Sequence, residues 1–350
     1  MKAIVQDRYG SSEVLELREV GKPAVGDHEV LIRVRAAGVN PGDWAIMSGL
    51  PYIARPAPLY GFRKPKNPVR GTDVAGEVEA IGPNVTRFRP GDEIFGWSKG
   101  SFAEFAVAVE DSLALKPANL TFEQAAAVPM AGTVALQALR DHGHVRAGQK
   151  VLINGASGGI GTFAIQIAKS LGADVTGVCS TRNVDMVRSI GADHVIDYTR
   201  EDFTRSGQRY DFILDNVGNH SLSELRRALT STGTLVPNAG GFQNHWFASG
   251  GRLVRAMVVF RFGSQRLGNF LVAQKHDDLV VLKDLIEAGK IAPFIGRTFT
   301  LSEVSQALGQ VGEGHVRGKV VISVSSPSLS NETREATSSE REATPVEALA

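Results

Sequence analysis

Three glycines spaced three residues apart, Gly155, Gly158 and Gly161, lie in the stretch VLINGASGGIGTFAIQIAKSLGA. This turn satisfies two chemical motifs. Residues 155–159 fit G-x-S-x-G, which exposes a nucleophilic serine, here Ser157, in hydrolases. The three glycines also fit a turn that receives the pyrophosphate of a dinucleotide. Both motifs follow a buried strand and open a helix, so the local pattern leaves both chemistries open.

The hydrolase interpretation needs an acid and then a histidine after Ser157. Asp215 could supply the acid, and His276 or His315 could supply the base. The sequence has no H-G-G element before the serine to build an oxyanion hole, and two glycines follow Ser157 at once. A nucleophile elbow does not require that spacing, so the hydrolase is the weaker alternative.

The dinucleotide interpretation predicts the residues that follow the turn. The helix N-terminus would present N–H groups and a partial positive charge to the pyrophosphate. About 20 residues on, an NAD site places an acid that binds the ribose 2′-OH. Here residues 180–183 read STRN, and hydroxyls with a guanidinium suit a 2′-phosphate, so NADP(H) is expected. The predicted cofactor-binding residues are Gly155, Ser157, Gly158, Gly159, Ile160, Gly161, Ser180 and Arg182.

The bulk composition excludes several classes of partner. The chain has 350 residues, and its 38 basic and 37 acidic side chains leave no strong field for nucleic acid. The single cysteine, Cys179, rules out an intramolecular disulfide and a multi-thiolate zinc site. No apolar run approaches the roughly 20 residues of a membrane span, and no signal peptide is recognisable. We expect a cytoplasmic protein without a transmembrane segment.

The organisation of the chain changes near residue 122. Residues 1–121 carry short β-rich runs punctuated by Gly and Pro, which predict an all-β unit. Residues 122–263 alternate apolar strands with helices, which predicts a doubly wound parallel sheet. Residues 264–325 are expected to return to the first unit through GKVVISV. The tail 326–350 is rich in Ser, Thr and Glu and is expected to be disordered.

A short-chain dehydrogenase would have a similar glycine turn and a Y-x-x-x-K motif. The only match, Tyr60 to Lys64, precedes the turn and lies in the proline-rich residues 51–68 instead of on a later helix. That class is therefore disfavoured. We interpret residues 51–68 as a long ordered loop with a functional role.

The order of parts resembles the medium-chain dehydrogenase/reductase superfamily, and within it the zinc-independent quinone oxidoreductase and alkenal/enone reductase branch. The resemblance covers nearly all of residues 1–325 and is carried by GVNPGDWAIMSGL, RGTDVAGEVEAIG, FRPGDEIFG, NGASGGIGTFAIQIAKSLGA, GADHVIDY and GEGHVRGKVVI. It implies an α/β fold with a GroES-like β-rich catalytic domain and a Rossmann nucleotide-binding domain. It also implies a homodimer. Residues 252–270, basic and apolar, would then form the dimer edge, with a membrane surface as the alternative contact.

Zinc-dependent relatives carry Cys in the first of these segments and G-H-E in the second. Here those places read Asn40 and Thr72, which are poor zinc ligands, so no metal is expected. Without a Lewis acid, oxidation of a simple alcohol loses its main source of barrier lowering. Hydride delivery to a quinone or to the β-carbon of an enone leaves charge that hydrogen-bond donors can hold. We therefore expect an NADPH-dependent quinone or enone reductase, with a non-catalytic NADPH-binding protein as the alternative.

The resemblance places the substrate in the cleft between the two domains. The candidate catalytic donors there are Asn40, Tyr52, Tyr60 and Arg70, with Lys64 as a weaker candidate and Trp44 as an apolar wall. The further cofactor contacts are Tyr198, Arg317 and Lys319 from the resemblance, and Asn216 and Gly218 from their place at a strand end.

Overall fold

The computed structural model describes residues 1–56, 60–238, 250–261, 263–268, 272–314 and 316–324. The predicted tail, His315 and part of the 252–270 segment lie outside the described residues. The described strands form one seven-stranded sheet, one six-stranded sheet and one two-stranded ribbon.

The first part of the chain is rich in β-structure. Its elements are β1 (Lys2–Gln6), β2 (Leu15–Glu19), β3 (Glu29–Val39), α1 (Pro41–Ser48), β4 (Asp73–Ile81), β5 (Glu93–Trp97), β6 (Phe105–Val109) and β7 (Leu113–Leu115). Strands and helices then alternate through α2 (Phe122–Ala126), α3 (Pro129–Gln137), β8 (Lys150–Asn154), α4 (Gly159–Ser170), β9 (Asp174–Cys179), α5 (Val184–Ser189), β10 (His194–Asp197), β11 (Tyr210–Asp215), α6 (Leu222–Ala228), β12 (Leu229–Pro237), α7 (Gly250–Phe260) and β13 (Arg266–Leu267). The last elements are α8 (His276–Glu287), β14 (Ile295–Thr300), α9 (Val304–Gly312) and β15 (Lys319–Ser323).

Strand β3 organises the β-rich domain. It pairs antiparallel with β4, β6 and β15, and its core side chains include Val30, Ile32 and Val34. Helix α1 begins at Pro41 because proline needs no hydrogen-bond acceptor at the first helical position. It ends at Gly49, whose φ of 69° lies in the left-handed region that favours glycine. The junction between β3 and α1 therefore carries Asn40.

The second sheet is parallel throughout, with strand order β10-β9-β8-β11-β12-β13. The chain moves outward from β8 to β9 and β10 and then returns to the other side of β8 with β11. This reversal leaves a crevice at the carboxyl ends of β8 and β11, where doubly wound sheets bind ligands. The predicted fold class, a GroES-like β-rich domain plus a Rossmann domain, is confirmed.

The short strand β13 lies beyond the end that the sequence predicts for the nucleotide domain. It pairs with β12 through Thr234 with Arg266 and Leu235 with Leu267, so the parallel sheet extends past residue 263. A strand of two residues has no readable hydrophobic period, so the sequence does not reveal it. The chain rejoins the first sheet at β14, which pairs with β15, and β15 pairs with β3 through Val320 and Val39.

Gly161 packs the first turn of α4 against the glycine turn. A Cβ at Gly161 would overlap the Gly155 carbonyl oxygen, so Gly161→Ala should lower the free energy of unfolding by about 1–3 kcal/mol. Gly42, in the first turn of α1, has nothing within 4 Å of the same position. Gly42→Ala should therefore be neutral or slightly stabilising. Urea unfolding measures both variants, and equal losses would contradict this packing argument.

Candidate active site

The glycine turn points the start of α4 toward the crevice. Gly155 has a φ of 81°, a left-handed conformation that favours glycine. The first internal hydrogen bond of α4 runs from Thr162 N–H to the Gly158 carbonyl at 3.0 Å. The N–H groups of Gly159, Ile160 and Gly161 precede that bond and lie at the positive end of the helix. These three are suited to an anion such as a pyrophosphate.

The turn is closed from two sides. The Gly158 N–H, one of the predicted cofactor contacts, donates to the Gly155 carbonyl at 3.1 Å. From the β-rich domain, the Gly318 N–H donates to the Ser157 carbonyl at 2.8 Å. The neighbouring Arg317 guanidinium lies 5.2 Å from the centre of the Phe294 ring. The segment that leads into β15 therefore forms one wall of the turn.

Asn183 joins the turn to the end of β9. Its Nδ2 donates to Ser157 Oγ at 3.1 Å and to Ser180 Oγ at 3.2 Å. Arg182 lies on the surface beside it, and Tyr198, which is 53% exposed, donates its N–H to the last carbonyl of β9. The structure thus brings the predicted Ser157 and Ser180 together through a buried amide that the sequence analysis did not select.

An acid also lies at this strand end. Asp197, the last residue of β10, accepts from Thr181 Oγ1 at 2.6 Å and from Thr199 Oγ1 at 2.8 Å. The Thr181 hydrogen bond is the largest cause that holds the pKa of Asp197 below its usual value. Along the chain, the first acid after the STRN segment is Asp185, whereas Asp197 comes from the neighbouring strand, in register with Cys179, and is not predicted by the sequence.

The carboxyl end of β11 supplies the other side of the crevice. Asp215 is fully buried, and its Oδ1 accepts from Asn154 Nδ2 and from the Gly218 N–H, both at 2.9 Å. Asn216 Oδ1 accepts from Asn238 Nδ2 at 2.8 Å, whereas Asn216 Nδ2 is buried without a partner among the described residues. A buried donor beside a glycine turn fits a ligand with acceptor oxygens, such as a dinucleotide.

The contacts of Ser157 and Asp215 argue against the serine hydrolase alternative. Ser157 Oγ is bound to Asn183, and Asp215 is bound to Asn154 and backbone N–H groups. His276 Nδ1 lies 2.6 Å from the Leu113 carbonyl, in the β-rich domain. These three side chains form no Ser-Asp-His relay, and His315 lies outside the described residues.

A buried polar cluster surrounds the predicted Asn40. Lys319 Nζ donates to Asn40 Oδ1 at 2.6 Å and lies 3.7 Å from Asp73 Oδ2. The Asn40 N–H donates to Asp43 Oδ2 at 2.9 Å. Asn40, Asp43, Asp73 and Lys319 are each at most 5% exposed. Two carboxyls and one ammonium are therefore held out of water, next to the segment that closes the glycine turn.

Burial shifts the proton affinity of these groups. Burial, and then the Asp73 charge, raise the pKa of Asp43 to about 6. Burial also raises the pKa of Asp73 and lowers that of Lys319, while the attraction between the two opposes both shifts. Lys319 offsets the charge of Asp73, and the Asn40 N–H and the Thr72 hydroxyl bind Asp43.

The other predicted donors fall into two groups. Arg70 is 5% exposed, its Nη1 donates to the Asn67 carbonyl at 2.9 Å, and its Nε has no partner among the described residues. Tyr60 donates to the Leu50 carbonyl at 3.1 Å and interacts electrostatically with Arg70, which in turn interacts with Asp43. Tyr52 and Trp44 instead line a separate hollow of about 470 Å³ between α1 and α9, and Lys64 is exposed.

Within the described ranges, no group of three or more His, Cys, Asp or Glu side chains is arranged to hold a metal ion. None of the helices in that part of the chain combines the length and apolarity that a membrane crossing needs.

Comparison with known proteins identifies the family. Residues 26–118 match the alcohol dehydrogenase GroES-like domain, and residues 190–322 match a family described as zinc-binding dehydrogenase. The chain is 36% identical to NAD(P)H oxidoreductase RTN4IP1, mitochondrial, of Mus musculus, over 93% of this chain and 89% of the mouse protein. The chain belongs to the medium-chain dehydrogenase/reductase superfamily, in its quinone oxidoreductase branch.

Two further proteins similar to this chain carry the names of reductases or oxidoreductases. The 2-methylene-furan-3-one reductase of Solanum lycopersicum is 32% identical over 92% of this chain and 79% of the tomato protein. The solved structure of the quinone oxidoreductase from Coxiella burnetii has a TM-score of 0.82 and 32% identity, over 93% of this chain and 99% of that one. The protein is an oxidoreductase that depends on a nicotinamide cofactor.

Asp43 should make stability depend on pH in mildly acidic solution. Its pKa is about 6 in the fold and about 4 in an unfolded chain, so the fold binds the proton more tightly. The free energy of unfolding should therefore decrease as pH rises from about 4 to about 6 and then level off. Asp43→Asn keeps an acceptor for the Asn40 N–H and should remove this part of the pH dependence.

Chemical unfolding at several pH values measures the effect. Asp185→Asn, at a fully exposed side chain, is the control and should follow the wild type. An unchanged pH slope in Asp43→Asn would contradict the shift.

Proposed function

We propose that this protein uses NADPH to reduce quinones, or the activated C=C bond of α,β-unsaturated carbonyl compounds, by hydride transfer without zinc. The observation that carries the proposal is the contact between the two halves of the site. Gly318 binds the glycine turn, and the next residue, Lys319, reaches Asn40. A dinucleotide site and a set of buried donors therefore adjoin each other. The names of the mouse, tomato and Coxiella relatives support the same type of reaction.

The protein's own side chains would stabilise the negative charge that develops on the oxygen of the acceptor. When bound, the reduced nicotinamide supplies the hydride. Asn40 Nδ2 and Arg70 Nε are buried N–H donors with no partner among the described residues. Each can donate to an oxygen of the acceptor without giving up a hydrogen bond inside the protein. Asn40 and Thr72 stand where zinc ligands would be needed, which supports a reaction that does not use zinc.

The preference for NADPH rests on the end of β9. Ser180 is held in place by Asn183, and Arg182 lies on the surface within the same turn, and a hydroxyl with a guanidinium suits a 2′-phosphate. The Asp197 carboxylate opposes that preference by charge, but two threonine hydroxyls and Arg200, at 3.6 Å, already bind it. We therefore infer that Arg182 outweighs Asp197 and that the site prefers NADPH to NADH.

Two finer properties belong to the same proposal. A homodimer is supported by Met257 and Val258, which are 54% and 59% exposed on α7. The cytoplasm is the compartment that the sequence favours, whereas the mouse relative is named as mitochondrial.

The reaction can be tested with a panel of acceptors. Wild-type protein should oxidise NADPH, followed at 340 nm, with at least one quinone, enal or enone. Asn40→Ala should reduce kcat by about 10²- to 10³-fold, because it removes a donor to the developing oxyanion. Asn119→Ala, which removes a hydrogen bond to the Ile286 carbonyl, is the control and should keep wild-type turnover.

Two outcomes of the panel would contradict the proposal. Quenching of NADPH fluorescence without turnover of any acceptor would favour a non-catalytic binding protein. Ester hydrolysis that is lost in Ser157→Ala would favour the hydrolase.

Cofactor choice should respond to both charges near β9. Arg182→Ala should weaken NADPH binding about tenfold and leave NADH binding unchanged, because only NADPH carries the 2′-phosphate. Asp197→Asn should strengthen NADPH binding relative to NADH. Arg205→Ala, at a side chain that is 78% exposed, is the matched control. Titration calorimetry measures all three variants, and an equal loss of both cofactors in Arg182→Ala would refute the assignment.

A further inference from the structure

The geometry points to Lys319 as a positioning residue that fixes the side-chain amide of Asn40, so that the Asn40 Nδ2 donates to the substrate oxygen. The inference deepens the proposed function and rests on it, since it assigns how the Asn40 donor is held. It also differs from the sequence expectation for Lys319, which was a direct contact with the cofactor.

Lys319 is placed to act on Asn40. Its side chain is 4% exposed, and Nζ donates to Asn40 Oδ1 at 2.6 Å and to the Val39 carbonyl at 3.3 Å. Its aliphatic stem passes over the glycine turn, because a Cβ added at Gly159 would lie 2.8 Å from Lys319 Cδ. The ammonium therefore lies beyond the turn, where it contacts Asn40, Val39 and Asp73.

The ammonium determines which way the amide faces. An ammonium can only donate hydrogen bonds, so the amide oxygen must face Lys319. Reversal of the amide would place two donors against each other. Burial raises the pKa of Asp73, and the charge of Lys319 opposes that shift.

The fixed amide leaves a donor for the substrate. Asn40 is 5% exposed, and Nδ2 makes no hydrogen bond to an acceptor in the described residues. A buried N–H without a partner costs about 1–3 kcal/mol. An acceptor oxygen that enters the cleft would remove this cost, so a carbonyl or quinone oxygen is the chemical group that the site is built to take.

The backbone joins this arrangement to the cofactor turn. Gly318 donates to Ser157, and Lys319 is the next residue, whose own N–H donates to the Phe294 carbonyl at 2.8 Å. The lysine is therefore anchored at its backbone by the closing segment and at its ammonium by Asn40. The Lys319 charge orients the Asn40 side-chain amide, whereas the N–H groups of the glycine turn would bind the pyrophosphate.

The test compares three lysine variants. Lys319→Met should lower kcat about 10- to 100-fold, the usual effect of losing a residue that orients a functional group, and should change the Kd for NADPH less than about threefold. Lys319→Arg keeps N–H donors and should restore most of kcat. Lys116→Met removes a lysine that is 6% exposed and bound to the Leu120 carbonyl, and it should keep wild-type kcat.

A second readout does not depend on turnover. In ¹⁵N–¹H spectra of the protein without cofactor, the Asn40 side-chain NH₂ pair should shift or broaden in Lys319→Met and should stay unchanged in Lys116→Met. If Lys319→Met does not fold because Asp73 is left unpaired, the double variant Asp73→Asn/Lys319→Met removes both charges and serves instead.

The outcomes separate the inference from the proposed function. A raised Kd for NADPH with unchanged kcat would make Lys319 a phosphate ligand and overturn the inference. An unchanged Asn40 NH₂ pair in Lys319→Met would also overturn it. Absence of turnover in the wild type would defeat the proposed function, whereas the NMR readout would still decide the role of Lys319.

Discussion

The hydrogen bond from Gly318 to the Ser157 carbonyl, 2.8 Å long, joins the two halves of the proposed site. One partner belongs to the turn that opens α4, and the other leads into β15, which pairs with β3. β3 ends at Val39, directly before Asn40, so one path of backbone hydrogen bonds connects the glycine turn with the segment that carries Asn40. Displacement of either segment would separate the cofactor site from the buried donors.

Buried charged side chains lie at this junction. Asp43, Asp73 and Lys319 lie within it, and none is more than 4% exposed. Such groups are costly to bury unless they are paired. Here the ammonium offsets the carboxyl charges and at the same time orients a neutral amide. The Lys319 ammonium thus lies beside Asn40, at one of the places where zinc-dependent relatives carry a metal ligand. Asn40 and Thr72 themselves are poor zinc ligands.

Much of the fold could be predicted from the sequence because its signals are local. The glycine spacing, the alternation of strands with helices and the segment around Asn40 each lie within one short stretch. The features that were missed arise between segments that are distant in the chain. Asp197 reaches the end of β9 from the neighbouring strand, Asn183 links two serines, and Asp73 meets Lys319 across the sheet. No periodicity or motif reports such contacts, and β13 is too short to show a period.

We propose that one cleft holds the cofactor on the glycine turn and its reactive ring beside Asn40. A crystal structure of the protein with NADP⁺ tests it most directly. We expect the pyrophosphate oxygens to accept from the N–H groups of Gly159 and Ile160. We expect the 2′-phosphate at Ser180 and Arg182 and the nicotinamide next to Asn40. A pyrophosphate bound away from the turn, or a nicotinamide remote from Asn40, would contradict it.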